Sequence, residues 1–182
     1  MSESEWLAKE AAKGDTAAFG LLVRWHQSRL RGFLMRLTKG NSALADDLAQ
    51  DTFLEAYKKI GQFGSDNFFG WLCAIAWSRY LMEARKRKLE SLDALSETGA
   101  ELPDDAPEPE NASLVRHDLE TAMAQLHPMQ RAALTLCFAL GLSNEEAAKA
   151  LNIPLGTLKS HVGRGRAKLA CLLGEWRKEV VT

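Results

Sequence analysis

One stretch in the C-terminal third of the chain contains a series of helix boundaries, and these restrict the fold more than any other feature. Gly141 predicts a helix end, because glycine enters the left-handed conformation beyond a helix without steric cost. Ser143 predicts the start of the next helix, and Glu146, three residues later, completes a capping box. Asn152 marks a short turn, and Pro154 is placed to open a second helix. The stretch therefore predicts a helix–turn–helix.

The second of these helices is predicted to have two different faces. Its apolar residues recur at helical spacing, at Leu155, Leu158, Val162 and Leu169. Its other side carries hydrogen-bond donors and cations, at Thr157, Lys159, Ser160, His161, Arg164, Arg166 and Lys168. Such a row is what a DNA major groove and its flanking phosphates require, although an ordinary charged surface helix is the alternative. Gly163 and Gly165 either make this helix adaptable or lie near its frayed end.

Charge is divided unevenly along the chain, although the whole sums to −1. Residues 1–88 carry 14 Lys and Arg against 10 Asp and Glu, a net charge of +4. Residues 89–113 carry 8 acidic and no basic residues, and residues 114–182 carry 9 basic against 6 acidic, a net +3. Two basic parts joined by an acidic segment favour two polyanion-binding domains on a tether, the alternative being a merely solvated linker.

The chain is predicted to be helical throughout, with no strand-like alternation, so the fold class is all-α with two small domains. Gly14 and Asp15 predict a helix end and a new N-cap, and Ser42 is expected to cap the following helix. A third helix is expected from about residue 67 to 88, and residues 89–112 are expected to be irregular. The apolar stripe of the first long helix comprises Phe19, Leu22, Val23, His26, Leu30, Phe33, Leu34 and Leu37.

Two N-terminal helices carry side chains that the hydrophobic core does not require. The helix over residues 45–60 has an outer side with Asp47, Gln50, Asp51 and Leu54, and an exposed leucine among polar groups favours a protein-docking surface. The next helix combines rings with cations, at Trp71, Trp77, Tyr80, Arg85, Lys86, Arg87 and Lys88. Rings that stack on bases beside cations that hold phosphate suit single-stranded nucleic acid. The alternative is that the rings complete a core, together with Phe68, Leu72, Ile75, Ala76 and Met82.

No catalytic, cofactor or metal site is predicted. The sequence has no glycine-rich phosphate loop, no HExxH, no CxxC and no nucleophile elbow. Cys73, Cys137 and Cys171 are odd in number and lie among apolar neighbours, so they are expected to be buried thiols in a reducing cytoplasm. His26 lies on an apolar stripe and is expected to be a satisfied core residue.

Two blocks of sequence resemble a known family. The segments DDLAQDTFLEAYKKIGQF and FFGWLCAIAWSRYLMEARKRK resemble region 2 of bacterial RNA polymerase sigma factors. The segment LHPMQRAALTLCFALGLSNEEAAKALNIPLGTLKSHVGRGRAKL resembles region 4. The two regions are joined directly by an acidic linker, and this arrangement resembles that of the extracytoplasmic-function (ECF) group of sigma factors. The resemblance implies a region 2 domain at 5–88, a linker at 89–112 and a region 4 domain at 113–173.

The resemblance also implies partners and site residues. Core polymerase would be bound through the β′ clamp helices and the β flap, with Asp47, Gln50, Asp51 and Leu54 at the clamp helices. The −10 strand would be held by Trp71, Trp77, Ser78, Arg85, Lys86, Arg87 and Lys88. The −35 element would be read by Thr157, Lys159, Ser160, His161, Arg164, Arg166 and Lys168. An anti-sigma factor is implied as inhibitor, and the location would be the bacterial cytoplasm, where an anti-sigma factor could hold the protein at the membrane.

Two other functions fit parts of the sequence. The block GLSNEEAAKALNIPLGTLKSHV also suits a LuxR-like regulator, but a ligand-sensing domain does not need the rings and cations of residues 71–88. A helical adaptor that binds only protein through the Leu54 side is the second alternative. Initiation from a promoter by core polymerase plus this protein would separate the three.

Overall fold

The computed structural model describes residues 2–64, 67–97 and 114–179, and within these ranges the chain forms eight α-helices and no strand. The N-terminal helices are α1 (Glu3–Ala12), α2 (Thr16–Leu37), α3 (Ser42–Lys59) and α4 (Phe68–Glu97), with a 3₁₀ turn at Ile60–Gln62. The C-terminal helices are α5 (Leu114–Ala124), α6 (Pro128–Leu134), α7 (Asn144–Leu151) and α8 (Leu155–Glu179), with a π-helical turn at Thr135–Ala139. The all-α prediction is confirmed.

Helices α1 to α4 form an N-terminal bundle around the apolar side of α2. Asp15 caps α2, because its carboxylate accepts from the backbone N–H of Ala17 at 2.9 Å. The residue that caps α3 is Asn41, whose side-chain oxygen accepts from the N–H of Leu44 at 3.0 Å, so the prediction of Ser42 was one residue late. The predicted stripe of α2 is buried except for Val23, which is partly buried.

Helix α4 is longer than the sequence led us to expect. It begins after Asn67, whose side-chain oxygen accepts from the N–H of Gly70 at 2.8 Å, and it continues to Glu97. The prediction of irregular structure from residue 89 was therefore wrong for residues 89–97, while residues 98–112 lie outside the described part of the chain. No glycine or proline interrupts residues 71–97, and ion pairs one turn apart, such as Arg87 with Glu83, support the helix.

Helices α5 to α8 form a C-terminal bundle whose caps match the prediction. Gly141 has φ +72° and Asn152 has φ +53°, both in the left-handed region. The capping box of α7 is complete, since the N–H of Glu146 donates to the Ser143 hydroxyl at 3.2 Å and the N–H of Ser143 donates to the Glu146 carboxylate at 2.8 Å. Gly163 lies within α8, well away from its ends.

The two bundles are in contact, and Arg131 of α6 is the central polar residue between them. Its side chain is only 1% exposed. The guanidinium donates to the Leu37 carbonyl at the end of α2 at 2.9 Å, and to the carbonyls of Met123 and Leu126 at 2.9 and 2.8 Å. Burial lowers the pKa of Arg131, and the negative ends of the α2 and α5 dipoles offset the cost of the buried charge.

Further contacts connect the bundles around Arg131. Arg29 of α2 donates to the Leu140 carbonyl at 2.9 Å. The side-chain amide of Asn67 donates to the Glu146 carboxylate at 2.5 Å, which joins the start of α4 to the capping box of α7. Buried apolar residues of both bundles belong to one continuous cluster.

Candidate protein-docking and nucleic-acid interfaces

Helix α8 buries or half-buries the four apolar residues predicted for its inner side, and it exposes most of the seven polar residues predicted for its outer side. Leu158 is fully buried, and the three other inner residues are half-buried. Five of the seven outer residues are exposed, while Ser160 and His161 are half-buried. The exposed ones are Thr157, Lys159, Arg164, Arg166 and Lys168.

The outer side chains of α8 do not act independently. Arg164 donates to the Ser160 hydroxyl twice, through Nε at 3.1 Å and Nη2 at 2.6 Å, so this hydroxyl orients the guanidinium. Lys168 donates to the Gln125 carbonyl at 2.8 Å. The Arg166 guanidinium lies 5.7 Å from the centroid of the Phe138 ring. Helix α8 therefore carries one Ser160–Arg164 pair in which the guanidinium is oriented. Its two further cations, Arg166 and Lys168, contact neighbouring elements.

The surroundings of His161 favour its neutral form over the imidazolium cation. Its Nδ1 is buried and has no hydrogen-bond partner among the described residues. Burial lowers the pKa of His161, and the nearby Arg164 and His127 lower it further. A neutral ring can donate or accept a hydrogen bond, but it adds no charge that would attract phosphate.

The aromatic rings of α4 belong more to the core than predicted. Trp77 is 4% exposed and stacks on Tyr80 with ring centroids 5.5 Å apart. The assignment of Trp77 to a nucleic-acid surface is therefore wrong for this structure. Trp77 lies one helical turn after the fully buried Cys73, on the same face of α4, and that face points into the bundle. Trp71 is half-buried and packs edge-on against Phe63 at 5.5 Å.

The remaining residues predicted for this surface are exposed. Ser78 and the four consecutive cations Arg85 to Lys88 are open to solvent. Met82, which was expected to pack inward, is exposed, because it lies on the same side as Ser78, one turn along the helix. The outer side of α4 is thus a polar and cationic strip beside two half-buried rings.

Helix α3 presents the predicted docking residues on one side. Asp47, Gln50 and Asp51 are exposed, and Leu54 is 53% exposed. Tyr57, three residues beyond Leu54, is also exposed and packs the edge of its ring against Phe19 at 5.0 Å. Its spacing from Leu54 could have identified it from the sequence. We call the five residues Asp47, Gln50, Asp51, Leu54 and Tyr57 the α3 face.

Glu55 lies beside the α3 face and has a structural role. Its carboxylate is paired with Lys59 at 2.8 Å and with Arg79 of α4 at 2.6 Å. These two partners hold the pKa of Glu55 below its ordinary value. The pairing with Arg79 connects α3 to α4 and so fixes the position of the α3 face relative to the cationic strip of α4.

Comparison with known proteins accounts for both bundles. The sequence matches the family described as Sigma-70 region 2 over residues 22–90, and the one described as Sigma-70, region 4 over residues 116–169. It is 36% identical over 174 residues to the ECF RNA polymerase sigma factor SigE of Mycolicibacterium smegmatis, across 92% of this chain and 67% of that protein. The chain belongs to the ECF family of RNA polymerase sigma factors.

Two other sigma factors support the assignment over nearly the whole length. RNA polymerase sigma factor NccH of Alcaligenes xylosoxydans xylosoxydans is 35% identical over 178 residues, which is 94% of this chain and 95% of that protein. The sigma factor RpoE, solved with the anti-sigma factor NepR from Bartonella quintana, has a TM-score of 0.73 at 30% identity. That match covers 86% of this chain and 96% of the solved chain.

Family membership settles the general function. This sigma factor directs core RNA polymerase to promoters and takes part in transcription initiation. The LuxR-like and adaptor alternatives are wrong, because the N-terminal half matches region 2.

The described residues hold few further features of chemical interest. Among them, no group of three or more His, Cys, Asp or Glu could hold a metal ion, and no helix is long and apolar enough to cross a membrane. Cys73 is buried, but Cys137 is half-buried and Cys171 is exposed, so burial of all three thiols was a wrong prediction. His26 is buried as predicted, but it is satisfied only in part: its Nε2 lies 3.2 Å from the Ser4 hydroxyl, whereas its buried Nδ1 has no hydrogen-bond partner among the described residues.

Proposed function

We propose that three surfaces of this sigma factor bind different partners during transcription initiation. The α3 face binds the β′ clamp helices of core polymerase. The outer side of α4 acts on the melted −10 strand, and α8 enters the major groove of the −35 element. Residues 5–88 are then the region 2 domain and residues 113–173 the region 4 domain, which also contacts the β flap, while residues 89–112 connect them.

The observation that carries this proposal is the composition of the α3 face. Two exposed apolar side chains, Leu54 and Tyr57, lie among two carboxylates and an amide. An apolar centre with a polar rim is typical of a protein interface, and tyrosine is enriched in such interfaces. The face belongs to the segment that matches region 2.

The −10 assignment rests on the cations of α4. Arg85, Lys86, Arg87 and Lys88 are exposed, and each phosphate contact that they make would release counterions and add to affinity at low salt. Ser78 and the half-buried Trp71 lie nearer the start of the helix, where they are available to bases. Trp77 supports the helix from inside the bundle.

The −35 assignment rests on the Ser160–Arg164 pair. A guanidinium that is already oriented loses less conformational freedom when it makes two hydrogen bonds to a guanine. Arg166 and Lys168 lie toward one end of this surface, and we assign them to phosphates. His161 contributes through a neutral hydrogen bond.

The docking proposal is tested by reversing charge on the α3 face. The double variant Asp51→Arg with Leu54→Arg places two cations in the proposed contact without disturbing a buried side chain. Affinity for core polymerase, measured by fluorescence anisotropy with labelled sigma factor, should fall by at least about tenfold, which corresponds to about 1.4 kcal/mol. Helical content should not change.

A matched control lies on α1. Glu3 and Trp6 have the same spacing, residue classes and exposure, with Trp6 50% exposed, and they lie outside the proposed contact. The variant Glu3→Arg with Trp6→Arg should therefore bind core with unchanged affinity. Equal affinities for both double variants would show that the α3 face is not the main contact.

We also propose that an anti-sigma factor inhibits this protein in the bacterial cytoplasm. Support comes from the RpoE structure, which contains the anti-sigma factor NepR and resembles this chain over both bundles. An inhibitor of this kind that resides in the membrane would hold the sigma factor there. Co-purification of the tagged protein from unstressed cells, followed by inhibition of transcription with the recovered partner, tests this part.

A further inference from the structure

Gly165 lies where α8 comes closest to α6. It is buried, although Arg164 and Arg166 on either side are exposed. A Cβ atom added at Gly165 would lie 2.9 Å from Cδ1 and 3.3 Å from Cγ of Leu134, and 3.4 Å from Cβ of Gln130. Gly174, on the same helix, would meet nothing within 4 Å. The close approach of the two helices therefore depends on the absence of a side chain at position 165.

Leu134 has little freedom to move away from an added methyl group. It is 5% exposed and belongs to a small apolar cluster between α5, α6 and α8. Its partners in that cluster are Met123, Leu126, Val162 and Leu169. The terminal methyl group of Leu134 can give way in part, but packed interiors have few voids, and Cγ of Leu134 and Cβ of Gln130 also lie within 3.4 Å of the added atom. We therefore expect an alanine at position 165 to move α8 away from α6 as well as to press on Leu134.

The displacement would be large enough to matter for base recognition. Carbon atoms pack best at about 3.5–4.0 Å, so the 2.9 Å approach would have to open by roughly 0.6–1 Å. Side chains that recognise a ligand must be held within about 0.5 Å of their productive positions. Ser160 and Arg164 are carried by the same rigid helix as Gly165, so they would move together with it.

We propose that Gly165 is a positioning residue that determines the −35 specificity of this sigma factor. Its missing side chain sets the depth and tilt of α8, and thereby which bases Lys159, Ser160 and Arg164 reach. This inference rests on the proposed role of α8 at the −35 element. It assigns the base preference to a residue that does not touch DNA.

The test measures holoenzyme affinity for a promoter fragment and for its single-base variants across the −35 element, at fixed salt. Gly165→Ala should lower affinity for the preferred sequence by about tenfold, within the range of one lost base contact, and change the ranking of the variants. Gly174→Ala adds the same methyl group to the same helix in open space. It should leave both quantities unchanged.

A compensating substitution tests the contact itself. Leu134→Ala combined with Gly165→Ala removes the two closest atoms, so the double variant should regain the wild-type ranking. If Gly165→Ala alone does not assemble holoenzyme, the double variant must assemble and keep that ranking. Failure of the double variant to do so overturns the inference.

The outcomes separate this inference from the proposed function. If wild-type holoenzyme shows no preference among −35 sequences, the role of α8 is wrong. If the wild type discriminates and Gly165→Ala discriminates in the same order, α8 reads DNA but Gly165 does not position it.

Discussion

His26 is a buried titratable side chain in the N-terminal bundle. Its ring packs 5.4 Å from the rings of both Phe68 and Phe69, and its Nε2 reaches Ser4 of α1. Burial, aided by the positive charge of Arg29, lowers the pKa of His26 to about 4. The neutral imidazole thus connects α1, α2 and α4.

The depressed pKa of His26 predicts a pH-dependent stability. Between pH 6.5 and about 4 the unfolded chain takes up a proton at this histidine and the folded chain does not. The stability from the neutral ring is therefore complete above pH 6.5 and falls as the pH falls to 4, by roughly 3 kcal/mol at most. Urea unfolding between pH 7.5 and 4.5 should show a shallower pH dependence for His26→Gln. The exposed control His117→Gln should follow the wild type, and equal slopes for all three proteins would contradict this role.

At the scale of single elements, two glycines of the C-terminal bundle have opposite energetic roles. Gly163 lies inside α8 with nothing within 4 Å of an added Cβ atom, so it costs helix stability without allowing any contact. Gly141 has φ +72° beyond the π-helical turn, where any other residue is strained. The same substitution should therefore have opposite signs at the two positions.

We predict that Gly163→Ala raises the free energy of unfolding by about 0.5–1 kcal/mol, the usual difference between glycine and alanine inside a helix. Gly141→Ala should lower it by about 1 kcal/mol, because alanine is strained at positive φ. Urea denaturation of the full-length protein followed by circular dichroism measures both. A loss of stability in Gly163→Ala would mean that α8 is not a continuous helix at this position.

For the molecule as a whole, the proposed assignment of α4 to the −10 element and of α8 to the −35 element implies that the two bundles cannot bind both elements while they remain in contact. The −10 and −35 elements lie about 25 base pairs apart, which is about 85 Å at 3.4 Å per base pair. A compact chain of this length has a radius of gyration of about 16 Å. The contacts of Arg131 with Leu37 and of Asn67 with Glu146 must therefore break when both elements are bound. Water can replace these polar contacts at small net cost, but separation also exposes the buried apolar residues that the two bundles share, so binding to polymerase and promoter must supply that free energy.

Local features were predictable from the sequence, whereas features that depend on distant packing were not. The caps at Gly141, Ser143 and Asn152 follow from backbone preferences of single residues, and the structure confirms them. Burial of Trp77 and the contact of Arg131 with Leu37, 94 residues away, depend on how the elements pack, which no local pattern encodes. The close approach at Gly165 was missed for the same reason.

In the proposed function, this protein directs core RNA polymerase to promoters through two separate DNA-binding surfaces. The most direct measurement is transcription by core polymerase from fragments of the host genome, with and without the purified protein, followed by sequencing of transcript 5′ ends. We expect start sites that appear only with the protein and that share two sequence elements upstream, one for each proposed DNA-binding surface. Absence of protein-dependent start sites, or start sites without two shared elements, would contradict it.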